Sequence, residues 1–377
     1  MRLYYLLFLL ALIFGDLAVR LDQTGEIEQR LTNYLGAPLE RFAKLADGWE
    51  SAIFEFTLGS RSARLSNIEP DAALILRVYG SSANAAKGKR EFAVMRMLES
   101  LGYAAPRAFL FEGDQEPLGA PFIVMERLAG RPLFSPVSFP GALRTFSTGF
   151  VSFVRAQARL HRLDVAPATR ALAGLAPPSL ADGLPCEAPL LERMLLLIRT
   201  RIERGPLPGL ERALASVAAR AGEFADAPPS LLHLDYHPRN VLVRGLRVTG
   251  VIDWVNLELG DRHLDAAMTS VIMATSALEK PRWMGDNAAG NSLRRLFTAL
   301  YVPLYHAMAP LEWRRFRYCQ AVAGLFRLST LATMRLHGAG AAGYRPVAMG
   351  EVTPSVLRLL SRYVADKTGN PVSVEAA

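Results

Sequence analysis

The sequence predicts an α+β fold in two lobes. The first is a small antiparallel β-sheet with one helix, and the second is large, mainly helical and carries a β-hairpin. Three observations predict this division. Residues 40–126 hold short alternating runs rich in β-branched and aromatic residues, broken by one helical stretch. From residue 131 onward most of the chain shows helical periodicity. Within that helical region, Leu231–Trp254 departs from the period and reads as strand, polar loop, strand, tight turn, strand. The expected organisation is an apolar segment over 1–22, a first lobe over 23–130, a second over 131–366 and a tail over 367–377.

Taken in order, Leu3–Phe14 is twelve consecutive apolar residues after Arg2. That falls short of the ~20 residues needed to span a bilayer, and the Gly15–Val19 segment is a poor cleavage site. Three readings stay open: a helix lying on a membrane, a buried N-terminal helix, or a start codon placed too far upstream. Glu26–Leu35 reads as a short amphipathic helix. Phe42–Thr57 reads as two strands around a turn at Asp47-Gly48, and Ala73–Tyr79 as a third strand with Arg77 at its centre. A helix is expected from about Ala86 to Leu101, then strands at Pro106–Glu112 and Pro121–Glu126. Beyond Gly130 the periodicity predicts helices over Thr145–Leu163, Leu190–Arg204, Leu210–Phe224, Leu264–Leu278, Asn291–Ala309, Trp313–Leu336 and Pro354–Val364. The Pro- and Ala-rich Ala166–Pro189 reads as an irregular loop.

The chain of 377 residues is half hydrophobic, enough for a large core. Lys and Arg exceed Asp and Glu by 43 − 35 = 8. The arginines are scattered, without the basic runs and interleaved aromatics of a nucleic-acid surface, so no nucleic-acid partner is expected. A mild positive excess suits phosphate-bearing substrates. Two cysteines, Cys186 and Cys319, supply neither a disulfide framework nor a Cys-x-x-Cys pair, which points to a reducing compartment.

The chemistry concentrates in the hairpin. Asn240 and Asp253 stand at its two ends, and Asp235 sits on the loop before it. Such a set of oxygens suits a hard cation, with one carboxylate left to act as a base. Phosphoryl transfer needs both, and His233-x-Asp235-x-x-x-x-Asn240 followed by Asp253 matches the spacing of a kinase catalytic loop and its metal-binding aspartate. Read without that context, a lone Asp-x-x-x-x-Asn is an ordinary polar hairpin. His233-x-Asp235-x-His237 is also compatible with a metallohydrolase site, although its remaining ligands are not evident.

His233-Leu-Asp-Tyr-His-Pro-Arg-Asn-Val-Leu-Val243 followed by Val251-Ile-Asp-Trp254 resembles the signature of the aminoglycoside phosphotransferase and choline kinase-like family, which has a protein-kinase-like fold. The resemblance spans roughly residues 40–340. Ala158–Asp164 is similar to the family's helix before the catalytic region, and Pro121–Leu133 to its hinge. Gly260-Asp261-Arg-His-Leu-Asp265 is similar to a Gly-Asp-Pro-x-x-Asp segment, with Arg262 in place of Pro. The resemblance implies ATP and Mg²⁺ as cofactors and a hydroxylated small molecule as acceptor. It makes Asp235 the catalytic base and Asn240 and Asp253 the metal ligands. It places Arg77 on the phosphates with Glu91 as its helix partner, and the adenine hinge at Met125 and Glu126. The loop carrying Gly48 and Ser51 would cover the phosphates. His233, Asp261 and Asp265 would brace the site, and Trp254 would pack beneath it. The expected location is cytoplasmic, with membrane contact through residues 3–14 as one of the readings above.

A second reading is a nucleotide-binding regulatory pseudokinase, motivated by the apolar N-terminus and by Arg77 in a lysine position. On the acceptor side, Asp182, Glu187 and Glu192 sit in or beside one loop while the terminal helices are rich in Arg. That mix does not single out a polycation such as an aminoglycoside.

Overall fold

The computed structural model describes residues 24–80, 84–134, 139–177, 188–205, 209–276 and 285–372, and of 139–148 the backbone alone. The apolar run 3–14, Asp182, Glu187 and Cys186 lie outside the described residues. Among those described, no helix is long and apolar enough to cross a membrane. The chain forms two compact units, one running through Phe92 and adding Arg107–Arg127, the other comprising Ala93–Pro106 and Leu128 onward.

The first unit is built on a five-stranded antiparallel sheet of order β1-β2-β3-β5-β4. Its strands are β1 (Leu39–Asp47), β2 (Ser51–Leu58), β3 (Leu74–Tyr79), β4 (Ala108–Glu112) and β5 (Phe122–Glu126). The two-residue period of a strand sorts its side chains. Phe54, Phe56, Leu74, Leu76, Val78, Phe122 and Val124 share one core with Ile27, Leu31 and Leu35 of helix α1 (Thr24–Leu35). The spacing of those three α1 residues keeps them on one helical stripe. The alternate positions of β3 carry Arg77 and Tyr79, which meet helix α2 (Ala85–Ser100). Gly88 permits the close approach, since a Cβ there would lie 2.8 Å from the Tyr79 ring and 2.9 Å from Phe111.

The second unit gathers helices α3 (Phe139–Leu160), α4 (Ala166–Leu172), α5 (Leu190–Arg204), α6 (Leu210–Ala218), α7 (Arg262–Thr275), α8 (Ala288–Met308), α9 (Trp313–His337) and α10 (Pro354–Thr368). Helix α9 is buried along most of Phe316–Met334 and packs on α5, α6, α7 and α10. Residues 93–106 group here because Tyr103 is held by this unit. Its hydroxyl donates to the Ala156 carbonyl at 3.0 Å, its ring meets Trp254 edge-on, and the Val251 N–H donates to the Ala104 carbonyl.

The structure departs from the sequence reading in three places. Ala166–Pro189 is not wholly irregular, because Pro167 sits in the first turn of α4, where its missing N–H costs nothing. The 210–224 helix breaks after Ala218 and resumes as a 3-10 turn over Ala221–Phe224. The hairpin β8 (Val241–Arg244)–β9 (Arg247–Val251) gains β6 (Arg131–Pro132) as a third strand, and β7 (Ser230–Leu232) pairs with β10 (Glu258–Gly260). Strands this short carry too few residues to show a period.

Gly130, at φ +116°, leads into β6. A Cβ there would come within 2.8 Å of both the Thr249 hydroxyl and the Val243 carbonyl. Gly130→Ala should therefore cost about 1–3 kcal/mol, read in calorimetry as a fall in Tm of about 2–4 °C per kcal/mol.

Candidate active site

The second unit brings Asp235, Asn240 and the approach to Asp253 into one hydrogen-bonded knot. The β8–β9 register pairs Val241 with Val251, and the Ile252 N–H donates to the Asn240 carbonyl at 2.9 Å. Asn240 donates its side-chain amide to the Asp235 carbonyl and carboxylate at 3.0 and 3.2 Å. With its nitrogen so committed, its Oδ1 is the atom left to meet a cation. Asp253 adopts a left-handed backbone at φ +69°, an uncommon state for a non-glycine residue. Asn240 and Asp253 offer hard oxygen donors of the kind Mg²⁺ takes in ones and twos beside phosphate oxygens.

His233 ties the two halves of the knot. Its Nε2 donates to the Ile252 carbonyl at 3.0 Å, and its Nδ1 accepts from the Asp235 N–H at 3.3 Å, so the neutral tautomer satisfies both contacts. Its ring packs on Trp254 with centroids 4.6 Å apart, and Trp254 donates its indole N–H to the Val251 carbonyl. His237, whose role the sequence left open, faces Asp235 with Nε2 3.6 Å from the carboxylate while its Nδ1 accepts from Arg239 N–H. Burial works to raise the pKa of Asp235, but its neighbours His237 and His233 outweigh it and hold the carboxyl below its ordinary range. Asp235 is thus an ionised acceptor, and its side chain keeps 31% exposure through which a hydroxyl can arrive. Among the described residues no three His, Cys, Asp or Glu side chains group as metal ligands. His233 spends both ring nitrogens on backbone groups and His237 spends its Nδ1 on one, so neither offers the free pair of nitrogens that the metallohydrolase reading draws on.

Beneath the loop lies Asp265, fully buried. One oxygen accepts the Leu234 N–H, and the other accepts from His161 Nε2 at 2.8 Å and Gln157 Nε2 at 2.9 Å. Its neighbour Asp261 caps α7 at His263 N–H, bonds the His263 ring at 2.6 Å and pairs with Arg315 at 3.1 Å. Arg262, in the position expected for Pro, donates to the carbonyls of Ala309 and Pro310 and so anchors the start of α7 to the α8–α9 corner.

In the first unit Arg77 is no surface residue. It is buried and bonds Glu91 at 2.8 Å, and Tyr79 donates its hydroxyl to the second Glu91 oxygen. Glu91 is correspondingly 1% exposed and not solvent-facing. The expected phosphate loop is tighter than its sequence suggests. The Gly48 N–H is spent on the Ser51 carbonyl at 2.8 Å, and Ser51 is buried. Sequence reasoning missed Glu50, which pairs with Lys87 of α2 at 3.1 Å and fastens that loop to the helix. At the expected hinge, Met125 lies between Ile75 and Ala108 in the sheet, and the Glu126 N–H donates to the Arg107 carbonyl. Any bond from Glu126 to an adenine therefore falls to its carbonyl oxygen.

Asp265→Asn should destabilise the protein by about 3–5 kcal/mol, because it turns one buried acceptor toward donors. The sign with pH follows from its depressed pKa. Burial opposes that depression, and the bonds from His161 and Gln157 overcome it. The Asp265 contribution is complete above the unfolded carboxylate value of about 4 and fades as pH falls through the lower folded value. Denaturation curves of wild type and variant should separate at neutral pH and converge in acid.

A model of the Phosphotransferase enzyme family (APH) matches residues 41–311. The chain is similar in structure to a putative aminoglycoside phosphotransferase of Ralstonia eutropha, with a TM-score of 0.55 and 15% identity over 91% of this chain and 98% of that one. It is similar also to macrolide 2'-phosphotransferase type I, with a TM-score of 0.55 and 17% identity over 93% and 97%. Aminoglycoside phosphotransferase APH(4)-Ia, in a ternary complex with ADP and hygromycin B, superposes with a TM-score of 0.51 at 18% identity over 89% and 98%. Likenesses at such identities speak for the fold. In sequence, 77 residues, 20% of this chain, are 35% identical to acyl-CoA dehydrogenase family member 11 of Homo sapiens, and 37% identical to that of Rattus norvegicus. The match spans 10% of the length of those curated relatives. With the family model covering most of the chain and the catalytic-loop geometry in place, this protein belongs to the APH phosphotransferase enzyme family and has its kinase-like α+β fold.

Proposed function

We propose that the protein transfers the γ-phosphate of ATP to a hydroxyl group of a small molecule, with Asp235 receiving the hydroxyl proton. The observation that carries this reading is the single knot formed by Asp235, Asn240, His233 and the backbone beside Asp253. Asp235 accepts the acceptor's hydroxyl and aims its oxygen at the γ-phosphorus. The low pKa suits orientation better than early deprotonation, as a loose phosphoryl-transfer transition state asks. The hydroxyl oxygen bonds to phosphorus, the bond to the ADP oxygen breaks, and the proton passes to the carboxylate. Asn240 and Asp253 would hold Mg²⁺, whose charge neutralises the phosphate oxygens when bound. In the first unit, Arg77 meets the nucleotide phosphates from a position fixed by Glu91 and Tyr79. The pseudokinase reading gains no observation, since Arg77 keeps the ion pair that a lysine would make there.

Two substitutions test the assignment. Asp235→Ala should lower kcat by at least about 100-fold and leave ATP affinity, measured by calorimetric titration, largely intact. Turnover close to wild type would end the role of Asp235. Arg77→Met should lower kcat/KM for ATP by about 10- to 100-fold, the equivalent of one charged hydrogen bond, in steady-state kinetics at saturating acceptor. Unchanged ATP kinetics would remove Arg77 from the phosphates.

A further inference from the structure

Several arginines that this chain draws away from solvent are matched by acids. Arg77 faces Glu91 at 2.8 Å, Arg193 faces Glu258 at 3.1 Å and Arg315 faces Asp261 at 3.1 Å. Each pair meets the rule that a desolvated charge needs a counter-charge. Arg201 of α5 breaks the pattern. It is half-buried against α9 and pairs with no carboxylate among the described residues. Burial pushes its guanidinium down to about 10, and the group that works against this is Tyr344, not an acid. Arg201 is still a cation at neutral pH.

Neutral groups hold one end of that cation. Its Nη1 donates to Thr330 Oγ1 at 2.8 Å, to Ser329 Oγ at 3.3 Å and to the Phe326 carbonyl at 3.5 Å. Ser329 and Thr330 are themselves buried, and both hydroxyls donate to the Phe326 carbonyl, at 2.9 and 2.8 Å. Their protons are spent there, so their lone pairs are what Arg201 meets. The Phe326 ring lies 4.8 Å from the guanidinium carbon. These contacts fix the plane of the guanidinium without neutralising it. The remaining N–H groups belong to Nε and Nη2. Among the described residues neither nitrogen meets an acceptor, and neither is sealed from solvent. The two lie side by side on one edge, the fork that takes two oxygens of a single carboxylate or phosphate.

We propose that Arg201 anchors an oxyanion-binding site between α5 and α9. Its Nε–Nη2 edge takes a carboxylate or phosphate group of a small molecule, which supplies the counter-charge that the fold leaves out. The guanidinium plane is set before the anion arrives, so binding sacrifices little side-chain freedom. The site does not rest on the phosphotransferase reading, and it is separate from Arg77, the arginine assigned to the nucleotide phosphates.

The test is an NMR titration of the arginine Nε–H resonances of the full chain, with inorganic phosphate and acetate as probes and chloride holding the ionic strength constant. In wild type one resonance should shift saturably, with an affinity for at least one probe about tenfold or more above that for chloride. The tighter probe separates phosphate from carboxylate. Arg201→Lys, which keeps the charge without the fork, should remove that resonance, and Arg77→Met should leave it with the same Kd. If Arg201→Lys does not fold, wild-type crystals soaked in selenate decide, with an anomalous peak on the Nε–Nη2 edge of Arg201 sustaining the site. The absence of any saturable shift, a shift that survives in Arg201→Lys, or an empty edge in selenate overturns the assignment.

Discussion

The catalytic loop depends on one buried carboxylate. Asp265 has no exposure, and removing a charge from water costs several kcal/mol unless hydrogen bonds replace the lost hydration. Three donors do so: the Leu234 N–H, the His161 ring and the Gln157 amide. The Leu234 bond matters most for function. Leu234 holds φ +60°, a left-handed conformation that costs a side-chain-bearing residue roughly 1–2 kcal/mol. Asp265 keeps it there by fixing its N–H, and the next residue in the chain is Asp235. The same carboxylate thus converts helix packing into the position of the proposed base.

The network continues outward. His161 meets the Tyr305 hydroxyl at 2.5 Å, while Gln157 accepts from Tyr301 at 2.7 Å and donates to Thr269 at 2.9 Å. Helices α3, α7 and α8 therefore meet through polar groups that are each satisfied, a condition under which a buried network rigidifies its surroundings. The first unit uses the same device on a smaller scale. Arg77, Glu91 and Tyr79 are all buried, and the carboxylate of Glu91 accepts from both partners. In each unit a buried acid orders a residue proposed for the chemistry, Asp235 in one and Arg77 in the other.

The hairpin and its spacing were legible because they are local. Asp253 lies thirteen positions after Asn240, and the β8–β9 register alone brings Asn240 beside Ile252. The strands of the first sheet were legible for the same reason, since alternation is written into each run. What holds the loop was not legible. Gln157 and His161 lie more than a hundred residues before Asp265, and nothing in their helical pattern points toward it. Backbone commitments were equally hidden. The Gly48 and Glu126 N–H groups look available in sequence, yet turn and sheet geometry consume both. Lys87 and Glu50 are ordinary charges until α2 is folded against the sheet.

The groups assigned to the nucleotide and to the reacting oxygen, Arg77, Glu91, Asp235, Asn240 and Asp253, all fall within residues 41–311, the span of the family match. Glu351, which pairs with Arg239 of the catalytic loop, falls after it. Family membership therefore speaks for the transfer of phosphate and leaves the acceptor unnamed. Around the Asp235 carboxylate this chain sets His237, 3.6 Å away, while His233 accepts the Asp235 N–H. The loop thus carries the groups proposed for the chemistry, and the helices packed behind it hold them in place through Asp265.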